Sequence, residues 1–280
     1  MPDNLLRKLA RAVIEADDGR LEVYAGMLAE PPVSAAALLR GMRARPLSTR
    51  VLIDLIGVAE NLPIADALFA ESLAYGLLQG ASEHRDWLAA RALPTSEPSG
   101  CVHLERTGDV LSICIDRPRS RNAIDRTLRD GLFEALTLAA LDDEIVGVEL
   151  RSTGRTFSVG ADLAEFGTTR DPAQAYAIRM QTLPALPLSR CAGKVNVHVQ
   201  GACIGAGLEI AAFAARVIAT RNAWFQLPEL SMGLIPGAGG CVSITRRIGP
   251  RRVALMVLSG RRIPAHVALD WGLVDAIVDD

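Results

Sequence analysis

This 280-residue sequence has few aromatic residues and a small net charge, and these two properties limit its core and its binding partners. Aromatic side chains make up only 4% of the chain, so small aliphatic residues must fill its core. The formal net charge is only −2, which argues against the broad basic surface typical of nucleic-acid binding. Half of the residues are hydrophobic, a composition that excludes intrinsic disorder. We therefore expect a globular protein with no nucleic-acid partner.

Cysteine and histidine patterns that would indicate cross-links or metal sites are also missing. The five cysteines are scattered, odd in number and never spaced as C-x-x-C, and the four histidines lie far apart. Neither a disulfide framework nor a metal site is expected, and a reducing compartment fits this usage. The N-terminus lacks the apolar segment of a signal peptide, and no run approaches about 18 uncharged apolar residues. The sequence predicts a cytoplasmic protein without a membrane span.

The chain divides into two segments with different patterns, and its length allows one large domain or two modest ones. Residues 1–93 carry apolar residues at intervals of three and four, interrupted at prolines, which predicts helices throughout. Residues 94–100 are polar and rich in proline and glycine, which predicts a linker. Residues 101–280 alternate strands and helices, which predicts an α/β core with largely parallel strands. The predicted strands cover 110–115, 146–150 and 195–199, and the predicted helices lie near 123–141, 205–214, 239–246, 250–258 and 264–271.

Three glycine-rich segments stand out in the second part of the chain. They read GRTFSVGADL (154–163), GACIGAGLE (201–209) and FQLPELSMGLIPGAGG (225–240). They contain no complete dinucleotide fingerprint, P-loop or nucleophile elbow. Tight turns that lead into helices expose backbone N–H groups, which carry partial positive charge and stabilise developing oxyanions. Small residues in such turns let a ligand oxygen approach the backbone closely.

Two glutamates accompany these turns. Glu209 lies in an apolar run at the start of a predicted helix, and Glu229 follows a proline. Each by itself is explained by the attraction of a carboxylate to a helix N-terminus, worth about 0.3–1 kcal/mol. Together they also fit a pair of carboxyls for acid–base catalysis. Two further candidates have simpler structural explanations: His198 as a base on a strand, and Cys203 as a nucleophile without a paired base nearby in sequence.

The glycine-rich segments resemble those of the enoyl-CoA hydratase/isomerase (crotonase) superfamily. Residues 117–124 (RPRSRNAI) are similar to its R-P-x-x-x-N-A-L segment, and residues 262–275 are similar to its segment ending in G-L-V-D. The resemblance runs from about 101 to 280 in the family's order. It implies an α/β fold with the crotonase-like ββα spiral core, preceded here by an all-helical region. It also implies a homo-oligomer, a trimer or a dimer of trimers.

The resemblance assigns roles to particular residues. It implies that the backbone N–H groups of Ala161 and Ala206 form an oxyanion hole for the thioester carbonyl of an acyl-CoA. It also implies that Glu209 activates a water molecule and that Glu229 gives a proton to the α-carbon. Further substrate contacts are implied at Ala123, Ser158, Asp162, Leu163 and Gly205. No metal and no cofactor other than the coenzyme A of the substrate is implied.

The favoured function from the sequence is that of an enoyl-CoA hydratase, because both family glutamates are present. Other reactions of the superfamily remain open: double-bond isomerisation, acyl-CoA hydrolysis and cofactor-free dioxygenation. A non-catalytic scaffold with the same fold is an alternative of another class, and the retained glutamate pair argues against it.

The order of the segments is unusual for this family. A typical member continues for some helices beyond the G-L-V-D segment, and these help to cover the acyl pocket. Residues 62–91 resemble that tail, with Glu71 among the matching positions. We therefore predict that the helical region 1–93 is a circularly permuted counterpart of the tail. The alternative is an unrelated helical extension, since helices rich in alanine and leucine resemble one another easily.

Overall fold

A computed structural model describes residues 2–92 and 97–279, in which a helical N-terminal region packs on an α/β core. The predicted α/β class and the predicted helical N-terminal region are both confirmed. Among the described residues, the first region forms six helices: α1 (Pro2–Glu15), α2 (Asp18–Leu28), α3 (Ala35–Ala44), α4 (Pro46–Ala59), α5 (Ile64–Gln79) and α6 (Ser82–Ala90). The predicted linker 94–100 falls partly outside the described residues, because 93–96 are not among them.

Prolines set the ends of some of these helices, as the sequence pattern predicts, and polar side chains cap others. Pro46 is the first residue of α4, where its missing N–H costs no helical hydrogen bond. The Ser34 side chain accepts a hydrogen bond from the first turn of α3. The N-terminus of α4 is capped from a distance, because the Glu83 carboxylate of α6 accepts from the backbone N–H of Leu47 at 2.8 Å and of Ser48 at 3.1 Å.

The described part of the core contains two sheets. Its strands are β1 (Cys101–Thr107), β2 (Val110–Asp116), β3 (Gly147–Ser152), β4 (Val195–Val199), β5 (Ala202–Ile204), β6 (Arg216–Thr220), β7 (Trp224–Gln226), β8 (Ile263–Pro264) and β9 (Ala276–Val278). The larger sheet has the order β1-β2-β3-β4-β6-β9, and every pair except the antiparallel β1–β2 is parallel. The smaller sheet has the order β5-β7-β8. The largely parallel arrangement predicted from the alternation is therefore correct.

Six helices connect and cover these strands: α7 (Arg126–Leu141), α8 (Pro172–Thr182), α9 (Ala185–Cys191), α10 (Ala206–Ala211), α11 (Gly240–Ser259) and α12 (Ala265–Trp271). Helix α11 is mostly buried, because it packs between α10 of the core and helices α3, α4 and α5 of the N-terminal region. It thereby joins the two regions. In the described part of the chain, no helix has both the length and the apolar character that a bilayer crossing requires.

Several predicted boundaries are wrong for local reasons. The helix predicted over 123–141 begins at Arg126, because the Asp125 side chain caps it by accepting from the N–H of Leu128 at 2.8 Å. The helices predicted at 239–246 and 250–258 are joined in α11 with a kink at Gly249, whose φ is 79°. The helix predicted at 205–214 is shorter, ending at Ala211.

Candidate active site

A cavity of about 630 Å³ lies where the two regions meet. Its wall includes Glu209, Glu229 and the glycine-rich turns of the core. The N-terminal region contributes Tyr75 and Gln79 of α5 and Trp87 of α6. The cavity thus unites the residues predicted as catalytic with residues to which the sequence analysis assigned no chemistry.

The first two glycine-rich turns lie side by side in this wall. A parallel bridge joins them, in which Ser158 donates its backbone N–H to Ala202 and Ile204 donates to Ser158. Each turn needs a left-handed glycine, since φ is 91° at Gly160 and 49° at Gly205. A Cβ atom at Gly205 would also lie 2.7 Å from Oε1 of Glu229. Glycine is therefore required at this turn for both its backbone conformation and its close contact.

The two predicted oxyanion donors are available in these turns. The bridge between Ile124 and Ala161 uses the N–H groups of Ile124 and Asp162, so it leaves the N–H of Ala161 outside the pairing. Ala206 is the first residue of α10, where a backbone N–H has no partner within the helix. Both alanines line the cavity. Two such N–H groups can stabilise negative charge on a single oxygen.

Glu209 is anchored by the third glycine-rich segment. Its Oε2 atom accepts from the N–H groups of Ala238 at 2.7 Å and Gly240 at 2.8 Å. Burial raises the pKa of Glu209 to about 7, although these N–H groups and the Arg179 guanidinium act in the opposite direction. A carboxyl that titrates close to neutral pH is suited to accept and return a proton.

Glu229 stands at the start of a short 3₁₀ helix, Glu229–Met232. Its side chain is buried, and its Oε2 atom has no hydrogen-bond partner in the described part of the chain. Burial raises the pKa of Glu229 well above the ordinary value, and the nearby Glu209 carboxyl raises it further. The environment therefore favours a neutral carboxylic acid at Glu229, a form that can donate a proton.

Glu71 of α5 contacts the same glycine-rich segment as Glu209, a role that the sequence analysis did not recognise. It is fully buried, and its two oxygens accept from the N–H groups of Gly239 at 2.6 Å and Cys241 at 2.8 Å. Successive N–H groups of this segment thus alternate between Glu209 and Glu71. Burial raises the pKa of Glu71 well above its usual value, with the Glu209 charge as the second cause. The signal in the sequence that could have indicated this role is a carboxyl on the apolar face of α5.

Three of the predicted substrate contacts line the cavity: Asp162, Leu163 and Gly205. Asp162 also shapes its own turn, because Oδ1 accepts from the Ala164 N–H at 2.9 Å and Oδ2 lies 2.7 Å from Nη1 of Arg117. The side chain of Asp162 is therefore already engaged within the protein. Its predicted contact with substrate remains a prediction.

The other two predicted contacts lie behind the wall. Ala123 and Ser158 are outside the set of described residues that line the cavity. The Ser158 hydroxyl is buried, donates to the carbonyl of Asn122 at 2.7 Å and accepts from the N–H of Gly160 at 3.1 Å. These bonds hold the first glycine-rich turn in shape. The contact of either residue with substrate stays a prediction.

The two weaker candidates do not join the cavity wall formed by the described residues. His198 lies on β4 next to the Glu149 carboxylate. Cys203 is fully buried on β5, where burial raises the pKa of its thiol well above the ordinary value. Such a thiol is a poor nucleophile, because reactivity requires the thiolate. Within residues 2–92 and 97–279, no group of three or more His, Cys, Asp and Glu side chains has the arrangement of a metal site.

Comparison with known proteins gives consistent similarities. The family model for enoyl-CoA hydratase/isomerase matches residues 105–280. The 2,3-dehydroadipyl-CoA hydratase of Escherichia coli (strain K12) is 34% identical over 174 residues, which cover 62% of this chain and 68% of that protein. The carnitinyl-CoA dehydratase of Salmonella agona (strain SL483) is 34% identical over 184 residues, covering 64% of this chain and 69% of that one.

A solved structure shows the same core. The crystal structure of enoyl-CoA hydratase from Thermoplasma volcanium GSS1 superposes with a TM-score of 0.58 at 33% identity. The match covers 64% of this chain and 72% of that chain. The matched part thus spans somewhat more than two thirds of these relatives.

Proposed function

Because the chain belongs to the enoyl-CoA hydratase/isomerase family, we propose that it adds water to the double bond of a 2-enoyl-CoA. One observation carries this proposal. Two buried carboxyls, Glu209 and Glu229, line the same cavity as the backbone N–H groups of Ala161 and Ala206. Hydration needs an acid, a base and a site for the thioester oxygen, and the cavity wall offers all three.

The oxyanion turns act on the carbonyl end of the substrate. Hydrogen bonds from Ala161 and Ala206 to the thioester oxygen polarise the conjugated double bond and stabilise the enolate formed during addition. A donor of this kind typically contributes about 2.7–4 kcal/mol to the transition state. Because the donors belong to the backbone, side-chain substitution does not remove them directly.

The two glutamates complete the addition. The Glu209 carboxylate takes a proton from water as the water oxygen forms a bond to the β-carbon, and electrons move through the enolate. The Glu229 carboxylic acid then gives its proton to the α-carbon. The product is the 3-hydroxyacyl-CoA, and the proton held by Glu209 must pass to Glu229 before the next cycle. Run in reverse, the same steps are a dehydration.

Replacement of each glutamate tests this proposal. Hydration of 2-enoyl-CoAs of several chain lengths is followed for the wild type, Glu209→Gln and Glu229→Gln. We expect each substitution to lower kcat on the order of 10²–10⁴-fold, because an acid–base group is lost without a change of shape. Glu134→Gln, an exposed change on α7, is the matched control and keeps its activity.

The possible outcomes separate the proposed reaction from the proposed site. No turnover of any enoyl-CoA by the wild type would contradict the hydratase proposal. Unchanged turnover in both glutamine variants would contradict the site assignment. Product analysis in the same assay identifies isomerisation, in which the double bond moves and no water is added.

The arrangement of the two regions is part of the proposal. We propose that residues 1–93 stand in for the helices that follow the core in relatives. The contribution of α5 and α6 to the cavity wall supports this, as does the coverage of only 72% of the Thermoplasma volcanium chain by the match. We also propose a cytoplasmic homo-oligomer, built as a trimer or a dimer of trimers, that needs no cofactor beyond the substrate's coenzyme A.

A further inference from the structure

A group of polar side chains from α5 and α8 forms part of the cavity wall. It consists of Tyr75 and Gln79 on α5 and Arg179 on α8. The guanidinium carbon of Arg179 lies 3.8 Å from the centre of the Tyr75 ring. Its Nη2 atom donates to Oε1 of Gln79 at 3.4 Å. The stacked ring and the amide hold the guanidinium in one orientation.

Arg179 has hydrogen-bonding capacity that the protein does not use. Its Nη1 atom is buried and has no hydrogen-bond partner in the described part of the chain. A buried donor of a charged group that stays unpaired is costly, so an unpaired guanidinium nitrogen at a cavity wall requires an explanation. A ligand group in the cavity supplies one.

The nearby carboxyls do not form hydrogen bonds with Nη1 of Arg179. Glu71 and Glu209 are close enough to interact electrostatically with Arg179. Both oxygens of Glu71, however, accept from backbone N–H groups, and Oε2 of Glu209 accepts from two more. Among the described residues, these carboxyls are therefore bonded to the start of α11 rather than to the guanidinium.

The side chains in this part of the cavity wall favour a ligand group that accepts hydrogen bonds. Burial raises the pKa of Tyr75 to about 12, so its hydroxyl stays protonated and can donate. Arg179 offers N–H donors and a positive charge, and a guanidinium group cannot accept a hydrogen bond. A carboxylate matches this set, because its two oxygens pair with the planar guanidinium fork through charge-assisted hydrogen bonds.

We propose that Tyr75, Gln79 and Arg179 form a subsite for a carboxylate at the far end of the substrate's acyl chain. The preferred substrates are then CoA thioesters of unsaturated dicarboxylic acids rather than of plain fatty acids. This inference rests on the proposed function, because it assigns the cavity to the acyl part of an enoyl-CoA. Arg179 is the specificity-determining residue of the subsite.

A pair of substrates that differ only in the distal charge tests the subsite. One is a 2-enoyl-CoA with a terminal carboxylate, and the other is its neutral methyl ester. We expect the wild type to have a kcat/KM on the order of 10–100-fold higher for the acid, since hydrogen bonds to charged groups contribute about 1.5–3 kcal/mol. Arg179→Gln should bring this ratio close to one, and Arg179→Lys should keep part of it because the charge remains without the fork.

Two further variants refine the test. Tyr75→Phe keeps the ring under the guanidinium and removes the hydroxyl, so the ratio should fall a few-fold. Arg190→Gln, an exposed change on α9, is the matched control and should leave the ratio unchanged. A wild-type ratio near or below one overturns the subsite. So does an equal loss for acid and ester in Arg179→Gln, which would identify Arg179 as a countercharge for Glu209.

Binding of unreactive ligands separates this inference from the proposed reaction. The saturated dicarboxylyl-CoA and its methyl ester are compared by calorimetry with the wild type, Arg179→Gln and Glu229→Gln. The subsite predicts tighter binding of the acid to the wild type and to Glu229→Gln, and no preference in Arg179→Gln. A binding preference without hydration would contradict the hydratase proposal alone. Hydration without any binding or kinetic preference would overturn the subsite alone.

Discussion

The N-terminal region and the core contribute to the same cavity in different ways. The core supplies the groups proposed to react, on turns and at the starts of short helices: two backbone N–H groups, Glu209 and Glu229. The N-terminal region supplies side chains that line the cavity and hold these elements in place. A region without a recognisable catalytic motif therefore takes part in building the site.

The contact at the start of α11 shows how closely the regions interlock. Glu209 of the core and Glu71 of α5 accept from alternating N–H groups of one segment. At Gly237, the residue before the first of these N–H groups, a Cβ atom would lie 2.1 Å from the Tyr75 ring. The chain here needs glycine because α5 approaches its backbone so closely.

A second contact supports the segment that carries Glu229. Nδ1 of His84 in α6 donates to the carbonyl of Met232 at 2.8 Å, at the end of the 3₁₀ helix that Glu229 begins. A Cβ atom at Gly233 would lie 2.6 Å from backbone atoms of Glu83 and His84. Both proposed catalytic glutamates thus rest on elements that the N-terminal region supports.

The largest effect is expected within the core, at the buried Arg117. Its guanidinium lies 2.7 Å from Asp162 and 3.5 Å from Asp125, and it donates to the carbonyl of Pro98 at 2.8 Å. Arg117→Met leaves both carboxylates without this partner and should lower the free energy of unfolding by about 3–5 kcal/mol. Urea denaturation measures the loss. The exposed Arg119→Met is the control, and equal stability of the two variants would show that this network is unimportant.

A smaller effect is expected at the contact between the regions. Glu71→Ala leaves the buried N–H groups of Gly239 and Cys241 unpaired and should lower the free energy of unfolding by about 2–4 kcal/mol. The exposed Glu60→Ala on the same region is the matched control. A loss below about 0.5 kcal/mol, the size of an ordinary surface change, would mean that the two regions are coupled elsewhere.

The smallest effect is expected at His84 and depends on pH. Burial lowers the pKa of His84 below its ordinary value of 6.5. A lowered pKa means that the fold favours the neutral ring. The stability that this ring contributes is therefore fully present above pH 6.5, and it is lost as the pH falls through the pKa of His84 in the folded protein. His84→Gln should remove this component, which we expect to be about 1 kcal/mol or less.

Thermal unfolding between pH 7 and pH 5 checks the His84 prediction, with the exposed His266→Gln as the control. The pH dependence of stability must be compared between the wild type and the variants, because Glu209 changes stability with pH in the opposite direction. Its pKa is raised from 4.5 to about 7, so its contribution is present below pH 4.5 and is lost as the pH rises towards 7. Identical pH slopes for the wild type and His84→Gln would refute the buried neutral histidine.

Several of the elements that the sequence analysis missed have little apolar pattern of their own. Strand β1 is almost wholly exposed, and α8 has no buried residue among those described, so neither carries the periodicity on which prediction relies. Strands β5, β7 and β9 are only three residues long. In contrast, β2 alternates between buried and half-buried positions, and it was predicted within one residue.

By itself, the sequence determined the α/β class, the helical first region, the two glycine-rich turns and the candidate glutamates Glu209 and Glu229. These depend on local spacing and on which residue types a turn tolerates. Only the tertiary structure decided that Tyr75 and Arg179 meet at the same cavity, and that Glu71 binds the segment that also anchors Glu209. Glu71 lies 168 positions from Gly239, and such a contact follows from the packing of whole helices rather than from any local pattern. The raised pKa values are likewise tertiary, because they arise from burial.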